Sequence, residues 1–138
     1  MITTKAIGYS LFLVYLALAL ISSSSADEAS IFTVKLINFL EPGSSPVTIH
    51  CTSPPKRDTF TSVLNRGEGF PFQFDTTQQV QWSCDISSGG KKGSFLIFDV
   101  NRDRGRCKLD GLCLWRIYRD GLFLYNAPLN KFEKQFSW

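Results

Sequence analysis

Four cysteines, Cys51, Cys84, Cys107 and Cys113, constrain this chain more than any other feature of its sequence. An even number of cysteines in an exported chain is expected to pair into disulfides, and each pair must be brought within covalent reach by the fold. Zinc binding is the competing use. Cys107 and Cys113 are spaced more widely than the usual two-to-four-residue gap of a ligand pair, and Cys51 and Cys84 more widely still. Two disulfides are therefore expected, with no metal and no other cofactor. Four cysteines allow three pairings, of which we favour Cys51–Cys113 with Cys84–Cys107.

The N-terminus supports export. A short segment carrying Lys5 leads into the apolar run Ile7 to Ile21, and small residues (Ser24, Ala26) follow, as at a cleavage site. The apolar run is shorter than the roughly 20 residues a spanning helix needs. Residues 1–26 are thus expected to be a removed signal peptide, leaving 27–138 as one secreted domain without stable membrane insertion. The formal net charge of +3 falls by one when Lys5 leaves. Such a mild surplus favours solubility and weak attraction to acidic surfaces, and is too small for a nucleic-acid-binding protein.

Alternation of apolar and polar residues dominates the remainder. Val47 to Cys51, Phe70 to Phe74 and Val80 to Ile86 place apolar side chains at every second position, the pattern of half-buried strands. Val34 to Leu40 and Phe95 to Val100 are more continuously apolar and read as strands covered on both faces. Cys113 to Tyr118 and Leu122 to Tyr125 flank Arg119-Asp120-Gly121, where Asp-Gly signals a hairpin because both residues tolerate positive φ. Turn-rich segments separate these runs, and no amphipathic helix of ten or more residues is evident. The expected fold is all-β, an antiparallel β-sandwich of about seven short strands with two disulfides. Trp82 and Trp115 fall on inward faces.

Catalytic chemistry has little to draw on. His50 is the sole histidine and lies on the strand face opposite Ile49 and Cys51, so it is expected at the surface. A pair of histidines acting as general base and acid is excluded by count. No nucleophile elbow or zinc-protease helix is present, and the acidic residues are scattered or lie beside bases. No catalytic residue is assigned, and the chain is expected not to be an enzyme. Aromatic sugar platforms would require exposed rings, for which Phe123 and Tyr125 are the candidates.

The most unusual stretch is Arg102 to Lys108, with cations at 102, 104, 106 and 108. In an extended segment all four would share one face, with Cys107 turned away. Lys56 and Arg57 in one loop, and Lys91 and Lys92 in another, extend the basic character. Lys56, Arg57, Lys91, Lys92, Arg102, Arg104 and Arg106 are the candidate contacts for an acidic partner.

Several of these features occur together in a known family. His50-Cys51 is followed by Leu64-x-x-Gly67-x-x-Phe70-x-Phe72-x-Phe74. Trp82 and Cys84 come next, then Cys107-x5-Cys113-x-Trp115-x-Ile117-x-x-Asp120-Gly121-Leu122. This set resembles the plant self-incompatibility S-protein family (the S-protein homologues), over about Val34 to Tyr125. The resemblance implies a secreted β-sandwich with two disulfides and a ligand-like activity: in poppy, a stigma protein recognised by a pollen-borne receptor. Many members carry an acidic stretch after the first cysteine, where this chain has Pro54-Pro55-Lys56-Arg57-Asp58. The expectation is a monomeric signalling ligand for a cell-surface receptor. The alternative is a secreted protein that binds wall glycans or acts on membranes in defence.

Overall fold

The structure is a computed structural model that describes residues 30–54 and 58–138. The expected signal peptide lies outside the described residues. Nine strands and one helical turn follow in order among the described residues: β1 (Ile31–Asn38), β2 (Val47–Ser53), β3 (Asp58–Leu64), β4 (Gly69–Asp75), β5 (Gln81–Ser88), β6 (Lys91–Asp99), α1 (Val100–Asp103), β7 (Leu112–Tyr118), β8 (Gly121–Asn126) and β9 (Lys131–Phe136). They form a five-stranded sheet, β4-β1-β7-β8-β9, and a four-stranded sheet, β3-β2-β5-β6. All pairings are antiparallel except β1 with β7, which run parallel. The expected sandwich is therefore present with one parallel pair. That pair can form because the chain leaves β1 and traverses the other sheet before returning beside it.

Apolar alternation explains the layers. Val34 and Leu36 on β1, Ile49 on β2, Ile86 on β5 and Ile117 on β7 are buried on the inner faces. Trp82 and Trp115 are buried to 1% and 0% exposure, as their inward positions predict. The rings of Phe60, Phe72 and Phe74 stand 5.0–5.6 Å from Trp82, so β4's run of phenylalanines fills the space beside it. A second group joins Trp115 to Phe136 and Phe136 to Phe95. Offset and tilted ring pairs of this kind add to area burial.

β1 and β6 differ from the expectation that both faces are covered. Inner residues of β1 are buried while Thr33, Lys35 and Ile37 are half-exposed, and Phe39 and Leu40 lie beyond the strand. Val100 belongs to α1. No further layer packs outside either sheet among the described residues, so the apolar outer positions face solvent.

The chain changes sheets at a corner built on Asn38. Its buried side chain donates from Nδ2 to the Leu64 carbonyl and accepts through Oδ1 from the Leu40 N–H. The Asn38 backbone pairs with Glu68 and Gly67. These bonds satisfy polar groups that two adjacent sheet switches would otherwise leave buried and unpaired.

The hairpin at Arg119-Asp120-Gly121 forms, but through a different use of its residues. Tyr118 pairs with Gly121 and the two-residue loop is Arg119-Asp120, neither at positive φ. Gly121 has φ 159°, and a Cβ there would stand 2.0 Å from the Phe136 carbonyl oxygen. Glycine is needed for close approach of β9 rather than for the turn.

The disulfides join Cys51 to Cys84 and Cys107 to Cys113, which corrects the expected pairing. Cys51 and Cys84 are directly opposite each other on β2 and β5, with Cα atoms 4.0 Å apart. Cys113 lies on the other sheet from Cys51, and both cross-links form within a layer or a local loop. Cys107 meets Cys113 across the connection leading into β7.

The two bridges differ in sequence separation, 33 residues against 6. Loop-closure entropy then predicts that replacing Cys51 and Cys84 together by alanine costs about 4 kcal/mol, against about 2 kcal/mol for Cys107 and Cys113. Urea unfolding of the two double variants checks this, with equal losses contradicting it.

Candidate functional site

Strand direction divides the connections between two ends of the sandwich. Lys91 opens β6 and Asp99 closes it, a span of about 26 Å at the usual strand rise. Lys91 and Lys92 therefore sit at one end, and Arg102, Arg104 and Arg106 follow the other. The five candidate cations among the described residues do not form one surface. Lys56 and Arg57 lie outside the described residues.

At the first end, Lys91 Nζ donates to the Arg119 carbonyl at 2.5 Å and stands 6.0 Å from the Trp138 ring centroid. Arg119 approaches Glu41 at 3.7 Å, and Ser88 Oγ donates to the Ser45 carbonyl. The β5–β6 and β7–β8 turns are thus tied to the β1–β2 loop. Lys92, the next residue on β6, points to the opposite face and is exposed.

At the other end the expected extended array of cations is replaced by a helical turn. Asp99 caps α1, its Oδ1 accepting from the N–H groups of Asn101 and Arg102 at 2.9 and 3.2 Å. Asp103 is fully buried and binds Arg102 through two bonds of 2.7 Å, while its Oδ2 also accepts the Asp99 N–H. The Asp103 carbonyl accepts from Arg106 and Cys107. Arg102 is consequently an internal counter-ion, 6.0 Å from the Trp115 ring. Arg106 is half-buried and donates to Gln135 at 2.7 Å. Arg104 is exposed, as is Lys108. Alternation along the sequence overlooked Asp103, which draws the segment inward.

Hydrogen bonding holds two carboxylates below their ordinary range. The Gln81 side chain does so chiefly for Asp99, with the N–H groups of α1 adding to it against a smaller effect of burial. Thr77, through backbone and hydroxyl, does so for Asp75. His50 is exposed, with Nδ1 2.8 Å from Thr61 Oγ1.

Phe123 and Tyr125 are half-exposed on the outer face of the five-stranded sheet. Phe123 meets Tyr118 nearly edge-on at 83°, and Tyr125 meets Phe132 at 57°. These rings do not present a common flat platform. Arg116, in register with Phe123 on this face, was not among the sequence-derived candidates. Its position opposite to buried Trp115 and Ile117 in the alternation was the available signal.

The order of cysteines, the two-layer architecture and the closing hairpin can now be compared with known proteins. The family model described as Plant self-incompatibility protein S1 matches residues 33–138. The chain belongs to this family. S-protein homolog 24 of Arabidopsis thaliana is 32% identical over 93 residues, covering 65% of this chain and 59% of that protein. S-protein homolog 5 of Arabidopsis thaliana is 31% identical over 99 residues, covering 70% of each. This S-protein homologue thus spans less than two thirds of the first of these relatives. No solved structure matches it. Its two disulfides suit an extracellular protein, because such bonds persist in oxidising compartments.

Two outcomes follow for the α1 end. Asp103→Asn leaves Arg102 without its counter-charge and should cost at most about 3 kcal/mol, since Arg102 keeps some solvent contact; denaturant unfolding measures the loss. Asp99, with its lowered folded-state pKa, contributes stability above its unfolded pKa that is lost as pH falls through the folded value. Asp99→Ala should therefore cost about 1 kcal/mol at neutral pH. The difference from the native protein should shrink below about pH 4 and vanish once both states are protonated. A constant difference down to that limit would contradict the role of the carboxylate.

Proposed function

We propose that this protein is a secreted recognition ligand, read by a receptor at the surface of a plant cell, and that it is not an enzyme. The observation that carries the reading is a contrast within one molecule of a recognition-protein family. Connections at both ends are exposed and charged, while the strands that hold them are clamped by Cys51–Cys84 and by the polar bonds around Asn38 and Asp103. Such a scaffold lets loops vary without unfolding the sheets. The N-terminal apolar segment and the disulfides together support secretion. Self-incompatibility is the process that the family description names, and pollen self-recognition is the first biological setting to test.

The receptor contact includes exposed basic side chains at the ends, among them Lys92 and Arg104. Long-range attraction of this kind acts mainly on encounter rate and weakens with salt. Oxidised, labelled protein should bind intact plant cells saturably, and trypsin treatment of the cells should abolish the binding. The Lys92→Glu, Arg104→Glu double variant should associate about tenfold more slowly at low ionic strength with its fold unchanged. Binding that survives trypsin and is competed by polygalacturonate or anionic vesicles would instead favour a wall-binding or membrane-acting protein. Application to growing pollen tubes of several genotypes tests the setting, because only a self-recognition ligand should arrest some genotypes and spare others.

A further inference from the structure

The outer face of the five-stranded sheet carries a feature that the loops do not explain. The Arg116 guanidinium carbon lies 4.4 Å from the centroid of Phe39 and 4.0 Å from that of Phe132. Phe39 also meets Tyr118 at 5.6 Å, and Tyr118 meets Phe123 at 5.1 Å. On the other side Phe132 meets Tyr125, over which Lys108 Nζ stands at 5.5 Å. A continuous band of rings and cations therefore crosses the face. Its rings are half-buried or, for Phe39, 40% exposed.

Arg116 donates from Nη1 to Tyr118 Oη at 3.2 Å, its Nε is buried without a hydrogen-bond partner, and no carboxylate pairs with it among the described residues. Lys35 and Lys134 occupy outer positions of the same sheet, with Asp120 engaging Lys134 at 3.6 Å. Beside Tyr125 the band opens into a groove of about 600 Å³, whose lining includes Leu109, Ala127 and Pro128.

We propose that this face docks an acidic segment of a protein partner, with a partner carboxylate on Arg116 and an adjoining apolar side chain in the groove beside Tyr125. The inference rests on the receptor reading above and gives it a second contact surface. Arginine, tyrosine and phenylalanine held in place by one another lose little freedom on binding, and a planar guanidinium can bind a carboxylate through two bonds. Ring faces stabilise the charge until the acid arrives. A second copy of this chain is disfavoured because the same face would bring like charges together. A flat sugar polymer is disfavoured because the rings are tilted to one another.

The test uses the oxidised, isotope-labelled protein and a random copolymer of glutamate and tyrosine, followed by NMR. Polyglutamate and polygalacturonate serve as comparison polyanions. The copolymer should shift the Arg116 side-chain resonance and amides of Tyr118, Phe123 and Tyr125. Arg116→Gln and Arg116→Lys should each weaken binding about tenfold, since charge without the planar fork is insufficient. Arg104→Glu, outside the band of rings, should change it less than about twofold, as an exposed charge screened by salt does. Phe39→Ser, beyond the strand, provides an independent variant should those at Arg116 misfold; near-UV circular dichroism and intact disulfides establish the fold.

Native affinity in a folded Arg116 or Phe39 variant would overturn the proposal. So would shifts confined to the end loops, equal binding of polygalacturonate, or concentration-dependent shifts of this face without any polymer. The cell-binding assay separates this inference from the receptor reading. Saturable native binding that Arg116→Gln leaves unchanged removes this surface and keeps the receptor. Copolymer binding centred on Arg116 without a saturable protein site on cells removes the receptor and keeps the surface.

Discussion

The in-register ladder between β2 and β5 is the constraint on which the rest of the sandwich depends. Ile49 faces Ile86 and Cys51 faces Cys84 across it, all four on the inner face. A slip of one residue would turn the pair on one of the two strands outward. The disulfide makes that slip covalently impossible while leaving the Thr48, His50 and Ser83 positions on the outside. Trp82 is positioned by the same register. The phenylalanines of β4 pack on Trp82 from the facing sheet, so a local covalent bond also orders the contact between layers.

Charge is organised by a similar economy of position. Asp103 is the one buried acid among the described residues, and its oxygens gather Arg102 and the Asp99 N–H. The result is a compact turn that carries the chain from β6 toward Cys107. Cations that look alike in sequence consequently serve different ends: Arg102 neutralises, Arg106 braces β9 through Gln135, and Arg104 remains exposed. The outer-face band follows another rule. Arg116 is held by aromatic faces rather than by an acid, so its charge is retained at the surface of the sheet.

Much of the fold was legible because core burial imposes a period of two on each strand. Seven of the strands were marked by that period or by apolar runs. β3 was not, because Thr59, Thr61 and Val63 on its outer face and Ser62 on its inner face blur the contrast at a sheet edge. β9 was hidden by mixed Lys131, Glu133 and Lys134 and by the irregular register of β8 against it. The hairpin was legible, yet the need for Gly121 arises from Phe136 on a strand absent from the sequence reading. The candidate cations were legible as residues, but their grouping was not, since β6 separates positions 91 and 92 from 102 by a full strand length.

The sequence by itself determined an all-β sandwich with Trp82 and Trp115 inside, an exposed His50 and a resemblance to its family. Those properties follow from alternation, composition and residue order, each of which acts locally along the chain. Tertiary structure alone decided the disulfide partners, the parallel β1–β7 pair, the inward turn of Asp103 and the meeting of Arg116 with Phe39 and Phe132. Each of these joins residues whose separation depends on sheet order and layer spacing. Four cysteines can be counted in a sequence, but only the register that sets Cys51 directly opposite Cys84 decides which of them meet.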